Sequence, residues 1–394
     1  MRLGFVLFAI VMSQTAFSQL KITGRIVDID SQLPIQFAYI VTNQVGTVSN
    51  EDGEFQLTIK QRNLPVIFSH IGYENISVFF NKEIDTLIQL KASSVFLEEI
   101  VIDGSNVSSI IQNSFSKIID SSFDGNFNCF YRQTTRNDKV YSELLEVFYT
   151  TDISLKGISK WKINQGRYAV RTDFETEGYI VNRNFSIFTK RLPLALKDPR
   201  SYIVPLMPNA EDYFDFKLTE TRKSLDTLLY YISFMPKEDC PYPGFKGTII
   251  IDDEYNIRRF SGTIRDSRFN PLDERIREKV SNLIFQVDVH CDIKSKGSRF
   301  PSTIHNQLSY DYQVDKRKAR KVKSQSIFTI VSLEKGQSNF EDTTPENDFK
   351  SINETPYDET FWEANEIIKR TPVERELLRQ FKSINGFTKT FGKK

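Results

Sequence analysis

The sequence has little of the chemistry on which most enzymes depend. Its 394 residues include only three histidines, three cysteines and two tryptophans. It has no glycine-rich phosphate loop, no paired-cysteine metal spacing and no nucleophile-elbow motif. These absences leave no residue that the sequence marks as catalytic, cofactor-binding or metal-binding. A serine-histidine-aspartate site stays open, because its members would meet only in space.

The cysteines are too few and too far apart to indicate a disulfide framework. Cys129, Cys240 and Cys291 form an odd set, so at most two could pair. We expect buried thiols instead.

The chain also lacks net charge and, beyond its first residues, long apolar runs. Its 52 basic and 51 acidic side chains nearly cancel, which argues against nucleic acid as a general partner. Arg2, the apolar block from Leu3 to Met12 and a small-residue stretch ending at Ser18 predict a signal peptide cleaved before Gln19, with an uncleaved anchor as the alternative. We therefore expect an exported protein, in the periplasm or on the periplasmic face of the outer membrane.

The sequence is rich in segments where apolar and polar residues alternate, which is the pattern of β-strands. In "EFQLTI", the apolar residues Phe55, Leu57 and Ile59 alternate with polar ones, as in a half-buried strand. Asp52-Gly53 can supply the left-handed backbone of a tight hairpin turn. Residues 19–92 contain several such segments and predict six or seven strands in a small antiparallel β-sandwich.

The order of these segments resembles a known family. "GRIVD", "PIQFAYI", "GTVSNEDGEFQL" and "FSHIGYE" follow one another as they do in the carboxypeptidase-like regulatory domain. This transthyretin-like sandwich is often found in exported proteins and at the N-terminus of TonB-dependent receptors. The resemblance implies the fold of residues 19–92 and supports export.

The zinc motif of carboxypeptidases is absent. That site needs a glutamate three positions after a histidine, but Tyr73, Ile293 and Leu308 occupy those positions. We interpret His70 as a packing or hydrogen-bonding residue, and His305 as a polar residue on an outward strand face.

A helix and a longer run of strands follow the sandwich. Apolar residues recur at every third or fourth position from Val107 to Ile119, which predicts an amphipathic helix packed on a sheet. Strands return from residue 126 to 335. In "IFQVDVHCDIK" the alternation places Cys291 in the core and His290 outside. We expect eight to ten strands in a large curved antiparallel sheet. With a helix across its concave side and "GTIIIDDEYNIRRF" as a strand-turn-strand element, this sheet resembles the half-barrel of periplasmic lipoprotein carriers.

Two segments carry a further resemblance. "NCFYRQT" at 128–134 and "YDETFWEANEIIK" at 357–369 resemble parts of uncharacterised exported proteins that have the same N-terminal domain. They indicate a shared architecture without indicating an activity.

Charge is concentrated near the C-terminal end. An acidic crossing segment spans 340–359, and Thr371-Pro372-Val373-Glu374 predicts the start of a terminal helix. The basic side chains are Lys316, Arg317, Lys318, Arg320, Lys321 and Lys323. A solvated hairpin end is the ordinary interpretation of this block, and contact with anionic headgroups at a membrane surface is the alternative.

These patterns predict a mainly β chain in five regions. They are a signal peptide (1–18), the regulatory β-sandwich domain (19–92), a connecting strand and amphipathic helix (93–125), a large antiparallel β domain (126–335), and the acidic crossing segment with the C-terminal helix (336–394). We expect a non-enzymatic cell-envelope protein that acts as a binding or scaffold module and docks through its sandwich. The alternative is a periplasmic carrier of lipid or another hydrophobic ligand.

Overall fold

The computed structural model describes residues 19–43, 45–93, 104–120, 126–170, 190–197, 201–224, 227–272, 277–295, 298–313, 318–334, 341–342, 351–352 and 354–383. Within these ranges the chain is mainly β, with an N-terminal sandwich and one large sheet, which confirms the predicted fold class. The predicted signal peptide (1–18) and connecting strand (98–102) lie outside the described residues.

The sandwich contains seven strands, at the upper end of the predicted number. They are β1 (Leu20–Asp28), β2 (Tyr39–Val41), β3 (Gly46–Val48), β4 (Glu54–Ile59), β5 (Pro65–Ser69), β6 (Ile76–Phe79) and β7 (Ile84–Leu90). One sheet has the order β4-β1-β7 and the other β3-β2-β5-β6. The β1–β7 pair is parallel, so the sandwich is not wholly antiparallel as predicted.

The core of the sandwich follows the predicted alternation. Phe55, Leu57 and Ile59 are buried between the two sheets, together with Ile22 and Phe68. Gly53 has the predicted left-handed backbone, with a φ of +74°. The predicted hairpin is wrong, however, because β3 and β4 lie in different sheets and this turn connects them.

Within the described residues the large sheet contains eleven strands, more than the eight to ten predicted. Its strands are β8 (Asn126–Asn137), β9 (Val140–Ser154), β10 (Gly157–Val170), β11 (Phe214–Ser224), β12 (Thr227–Pro236), β13 (Lys246–Asp252), β14 (Ile257–Ile264), β15 (Val280–His290), β18 (Thr303–Tyr312), β19 (Arg320–Glu334) and β20 (Glu341–Asp342). Their order is β11-β12-β13-β14-β15-β18-β19-β8-β9-β10-β20, with antiparallel pairing throughout. Two short strands, β16 (Ile293–Ser295) and β17 (Ser298–Phe300), pair only with each other.

One face of this sheet, here called the inner face, carries the main core. The predicted helix is present as α1 (Gly104–Asp120), and its residues Val107, Ile111 and Ile118 belong to that core. Apolar residues between 192 and 214 complete the layer. Cys129 and Cys291 are buried here, as predicted, whereas Cys240 is only half-buried, and none of the three forms a disulfide.

The opposite face, here called the outer face, is also covered. The sandwich and the C-terminal residues pack on it, and Tyr39, Phe130 and Trp362 share one apolar cluster. The prediction that His290 lies outside is therefore wrong, since only 3% of its surface is exposed. The alternation assigned its face correctly, but that face is buried against another part of the chain.

The C-terminal residues add two helices, α2 (Glu359–Ala364) and α3 (Pro372–Ser383). The predicted capping box is confirmed, because the Glu374 amide donates to Thr371 Oγ1 at 3.2 Å and the Thr371 amide donates to Glu374 Oε2 at 2.9 Å. Leu377 and Phe381 of α3 are buried. None of the helices in the described ranges combines the length and apolarity needed to cross a bilayer.

We predict that Phe285→Ala will destabilise the fold strongly. Phe285 is fully buried on the inner face, with the rings of Phe245 and Phe269 each 5.9 Å away. Truncation should reduce the free energy of unfolding by about 3–5 kcal/mol, measured by urea denaturation. Phe79→Ala is the matched control, because Phe79 is 66% exposed. Equal losses in the two variants would contradict this assignment of the core.

Candidate functional site

The "SHIGYE" segment of the sandwich docks on the large sheet. Ile71 packs in an apolar cluster with Leu229 and Ile250, which lie on the outer face. Gly72 has a φ of +87°, and a Cβ added there would lie 3.3 Å from atoms of Arg222 and Tyr231. A left-handed, close-packed position of this kind favours glycine. The segment therefore works as a docking loop of the sandwich.

His70 and His290 meet at this contact. Their ring centroids are 5.4 Å apart. His290 Nε2 lies 3.3 Å from Asp288 Oδ1, and Arg259 donates to both Asp288 oxygens at 2.9 and 2.6 Å. Within the described residues, no three histidine, cysteine, aspartate or glutamate side chains are grouped so that they could hold a metal ion.

The environment of His70 disfavours its protonation. Burial, together with the nearby His290 and Arg259, lowers the pKa of His70 to about 3. The pKa of Asp288 is well below its usual range, because His290 and Arg259 outweigh the opposing effect of burial. The contact is therefore arranged for a neutral His70 and an ionised Asp288.

His305 belongs to the same interface. Its ring stacks on Phe37 of the sandwich at a centroid distance of 4.6 Å, and burial lowers its pKa. The sequence placed His305 on an outward strand face, and the structure places that face beneath the sandwich.

A second buried polar group attaches the C-terminal residues to the outer face. Glu146 of β9 is fully buried and accepts a hydrogen bond from Arg132 Nε at 2.7 Å and one from Arg167 Nε at 2.6 Å. Arg370, from the residues before α3, lies 3.7 Å away. We call Glu146, Arg132, Arg167 and Arg370 the Glu146 cluster.

The three arginines of the Glu146 cluster stabilise the ionised form of the Glu146 carboxyl. Burial alone would raise the pKa of Glu146, but Arg167, Arg132 and Arg370 outweigh it and hold the pKa well below its usual range. The cluster is also tied to its surroundings, since Arg132 lies 3.3 Å from Glu374 and the Arg167 guanidinium lies 4.2 Å from the Trp362 ring centroid.

The C-terminal residues also contact the sandwich. The Thr47 hydroxyl donates to the carbonyl of Ile367, and Asn50 donates to the carbonyl of Lys369 at 3.3 Å. Lys369 Nζ lies 3.3 Å from Glu54 Oε1. The C-terminal residues thus join the sandwich to the sheet.

A cleft remains where these three parts meet, and we call it the three-part cleft. Its volume is about 560 Å³, within the range of ligand-binding clefts. The sandwich contributes β3 and β4, the sheet contributes residues such as Phe148 and Val331, and the C-terminal residues contribute Phe361 and Ile367.

The floor of the three-part cleft is a ladder of neutral polar side chains. Asn164 donates to Thr150 at 2.9 Å, Thr150 donates to Asn128 at 2.9 Å, and Asn128 donates to Ser332 at 3.1 Å. The ladder crosses four neighbouring strands of the large sheet. The cleft therefore offers hydroxyl and amide groups next to apolar walls, which suits binding better than acid-base chemistry.

The basic block predicted from the sequence is only partly described. Lys316 and Arg317 lie outside the described residues. Lys318 and Lys321 are exposed, and Arg320 and Lys323 are half-buried. Burial lowers the pKa of Lys323, partly offset by Glu51 of the sandwich. Contact of this block with a membrane surface stays a prediction.

Sequence reasoning missed the Glu146 cluster. Arg132 lies within "NCFYRQT", and Arg370 directly follows "YDETFWEANEIIK", so both segments with a noted resemblance lead to it. The available signal was charged residues within strands that otherwise carry apolar side chains. Their pairing could not be read from the sequence because the partners are on separate elements.

The comparisons with known proteins agree with this architecture. Residues 22–102 match the CarboxypepD_reg-like domain, as the N-terminal resemblance indicated. Residues 132–324 match a family of unknown function, DUF5686. No curated protein matches the chain.

Two solved structures show weak similarity. A LolA superfamily protein from Nitrosomonas europaea is 10% identical, with 58% of this chain and 94% of that chain covered and a TM-score of 0.21. A putative membrane-associated protein of unknown function from Bacteroides fragilis is 7% identical, with 80% and 99% covered and a TM-score of 0.16. At these TM-scores the similarities carry no argument about this chain.

We predict that Glu146→Gln will release the C-terminal residues. The change leaves three buried guanidinium groups without their shared carboxylate, which should reduce the free energy of unfolding by about 3–5 kcal/mol. Hydrogen exchange should accelerate across α2 and α3. Glu376→Gln is the matched control, because its pair with Arg379 is exposed and should contribute no more than about 1 kcal/mol. Unchanged exchange in α2 and α3 would refute the role given to Glu146.

We also predict a pH dependence from His70. Its folded pKa of about 3 lies below the ordinary value of 6.5. Between these values the unfolded chain binds more protons, so this contribution to stability is complete above pH 6.5 and declines as the pH falls. The slope from this group is at most about 1.4 kcal/mol per pH unit. Urea midpoints should fall less steeply with acidification in His70→Gln than in the unchanged chain, and parallel curves would disprove the assignment.

Proposed function

We propose that this protein is a non-enzymatic cell-envelope protein, exported to the periplasm or the periplasmic face of the outer membrane. It acts as a binding or scaffold module, and its N-terminal sandwich is the domain that docks on an envelope partner.

The distribution of exposed apolar side chains carries this proposal. Among the described residues, Ile29, Leu33, Ile67, Phe79, Ile84 and Leu87 of the sandwich are large, apolar and exposed, against only Met235 and Tyr255 in the rest of the chain. The sandwich supplies less than a quarter of the chain, so the bias is strong. Exposed apolar surface of this kind is typical of interaction sites when it is contiguous.

Part of this surface is contiguous. Ile67 of β5 points away from the sandwich core, since its neighbours Val66 and Phe68 are buried. Phe79 of β6 pairs with Pro65 and lies diagonally across from Ile67 on the same outward side. Tyr39 and Val48 of the same sheet already pack against Phe130 and Trp362. The sheet that docks internally therefore presents a free apolar patch beyond that contact.

The histidines give no support to an enzyme. His70 and His290 lie against each other within the contact between sandwich and sheet, and His305 is stacked on Phe37. The open three-part cleft is lined mainly by neutral amides, hydroxyls and apolar groups. Neutral amides, hydroxyls and apolar groups can contact a bound ligand, so this lining supports a binding role.

A carrier of hydrophobic ligands is the weaker candidate. A carrier would need free apolar surface on the inner face. In the described residues, Phe245, Phe260 and Phe285 of that face are fully buried, in a core shared with α1 and with residues 192–214. Side chains of the protein itself therefore fill the space on the inner face in which a carrier would hold an acyl chain.

We predict that the double substitution Ile67→Ser with Phe79→Ser will release the protein from the envelope. Loss of two apolar contacts should weaken retention by roughly thirtyfold or more, because each side chain contributes about 1 kcal/mol or more. The measurement is the ratio of membrane-associated to soluble protein after cell fractionation. Met235→Ser is the control, since Met235 is 55% exposed on the large sheet.

Two outcomes would contradict the proposal. One is retention that is equal in all three proteins, and the other is a protein found only in the cytoplasm. Native mass spectrometry and lipid extraction of the chain from Gln19 onward distinguish the alternative, because co-purified lipid would favour the carrier.

A further inference from the structure

We propose that the three-part cleft binds an extended segment of a partner polypeptide, which joins the free edge of β4 as an added strand. This inference rests on the proposed function, since it names a site and a ligand chemistry through which a binding module could hold its partner.

The backbone of β4 points toward the cleft at alternate residues. β4 pairs antiparallel with β1. The amide of Ile26 in β1 donates to the carbonyl of Gly53, directly before β4, at 2.8 Å. This bond fixes which residues face β1, because the register pairs Gly24 with Phe55 and Ile22 with Leu57. Hydrogen-bonded pairs recur every second residue in an antiparallel ladder. The N–H and C=O groups of Glu54, Gln56 and Thr58 therefore point away from β1.

Independent hydrogen bonds confirm this alternation. The outward groups of Glu54 are already used, since its amide donates to Asn50 Oδ1 at 2.9 Å and its carbonyl accepts from the Asn50 amide at 2.8 Å. On the other side of β1, the Ile29 amide donates to Leu90 of β7 at 2.9 Å, so odd-numbered residues of β1 face β7.

The next outward positions, Gln56 and Thr58, open into the three-part cleft. β4 is an edge strand, and both residues line the cleft. In the described ranges, neither residue makes a backbone hydrogen bond on that side. Two donors and two acceptors are thus available at the spacing of a β-ladder, which is how extended peptides add to a sheet edge.

The walls of the cleft suit a strand with alternating side chains. Phe148, Val331 and Phe361 provide apolar contacts, and Asn128 and Asn164 of the floor provide hydrogen-bonding groups. Successive side chains of an extended segment point to opposite sides. One side of the segment can therefore meet apolar groups while the other meets amides and hydroxyls.

Other ligand classes use these features less well. A lipid acyl chain has no groups for the backbone donors of Gln56 and Thr58. An anionic ligand would find Lys60 offset by Glu366 among the lining residues. The best fit is a neutral polypeptide segment that alternates apolar residues with threonine, serine, asparagine or glutamine.

The test uses two proline substitutions on opposite edges of one sheet. Thr58→Pro removes an N–H that points into the cleft and is not part of the β1–β4 ladder. Gln89→Pro is the matched control, because the Gln89 amide faces away from β1 and Gln89 is exposed on the edge strand β7. Proline is tolerated at edge positions whose N–H is unused, so both variants should fold.

The probe is a displayed library of short random peptides, selected on the full-length chain. We expect enriched peptides with alternating apolar and neutral polar residues. They should bind the unchanged chain and Gln89→Pro equally, and should bind Thr58→Pro about tenfold or more weakly, since the ladder is lost. Bound peptide should also slow hydrogen exchange at the Gln56 amide.

A second variant tests the cleft independently, so that the inference can be judged even if Thr58→Pro does not fold. Asn164→Trp places a large side chain on the floor of the cleft at an exposed position, without changing the backbone of β4. It should also abolish binding of the enriched peptides, while the urea midpoint should fall only slightly, since a single hydrogen bond to Thr150 is lost.

Several outcomes would overturn the inference. These are no enrichment, peptides that bind Thr58→Pro and Asn164→Trp as well as the unchanged chain, and a Gln56 amide already protected in the free chain, which would indicate that the chain's own residues fill the cleft. None of these affects the proposed function, which fails separately if substitution of Ile67 and Phe79 leaves envelope retention unchanged.

Discussion

One buried carboxylate, Glu146, connects the parts of this protein. It lies on the outer face of the large sheet between Arg132 and Arg167, and Arg370 brings the C-terminal residues to the same point. A buried charge is tolerated only when it is paired. The C-terminal residues must therefore stay in place, and they in turn bind the sandwich through Thr47 and Asn50.

Covering both faces of the large sheet has consequences for chemistry and for binding. The inner face is closed by apolar packing, while the outer face is closed by the sandwich through a mixture of apolar, aromatic and ionic contacts. His70 is buried at this contact, and burial lowers its pKa. The imperfect meeting of three separate parts also leaves the three-part cleft, with the edge of β4 open to it.

Much of the local structure could be predicted from the sequence. The alternation at Phe55, Leu57 and Ile59, the stripe of α1 and the capping box of α3 depend on residues close in sequence, and all are confirmed. The candidate site could not be predicted in this way. The three-part cleft is made by β3, β4, the large sheet and residues near 361–367, which no local pattern connects.

His290 shows which part of a residue's position could be predicted from the sequence and which part could not. Alternation along β15 assigned it correctly to the face opposite Cys291, because successive side chains of a strand point to opposite sides. Whether that face meets water or another domain depends on long-range docking, and here the sandwich buries it. The sequence by itself determined strands, caps and which residues share a face, since these follow from short-range backbone geometry. Tertiary structure alone decided the partners of those faces, the pairing of Glu146 with arginines from distant elements, and the open edge at Gln56 and Thr58, because each depends on how separately folded parts pack together.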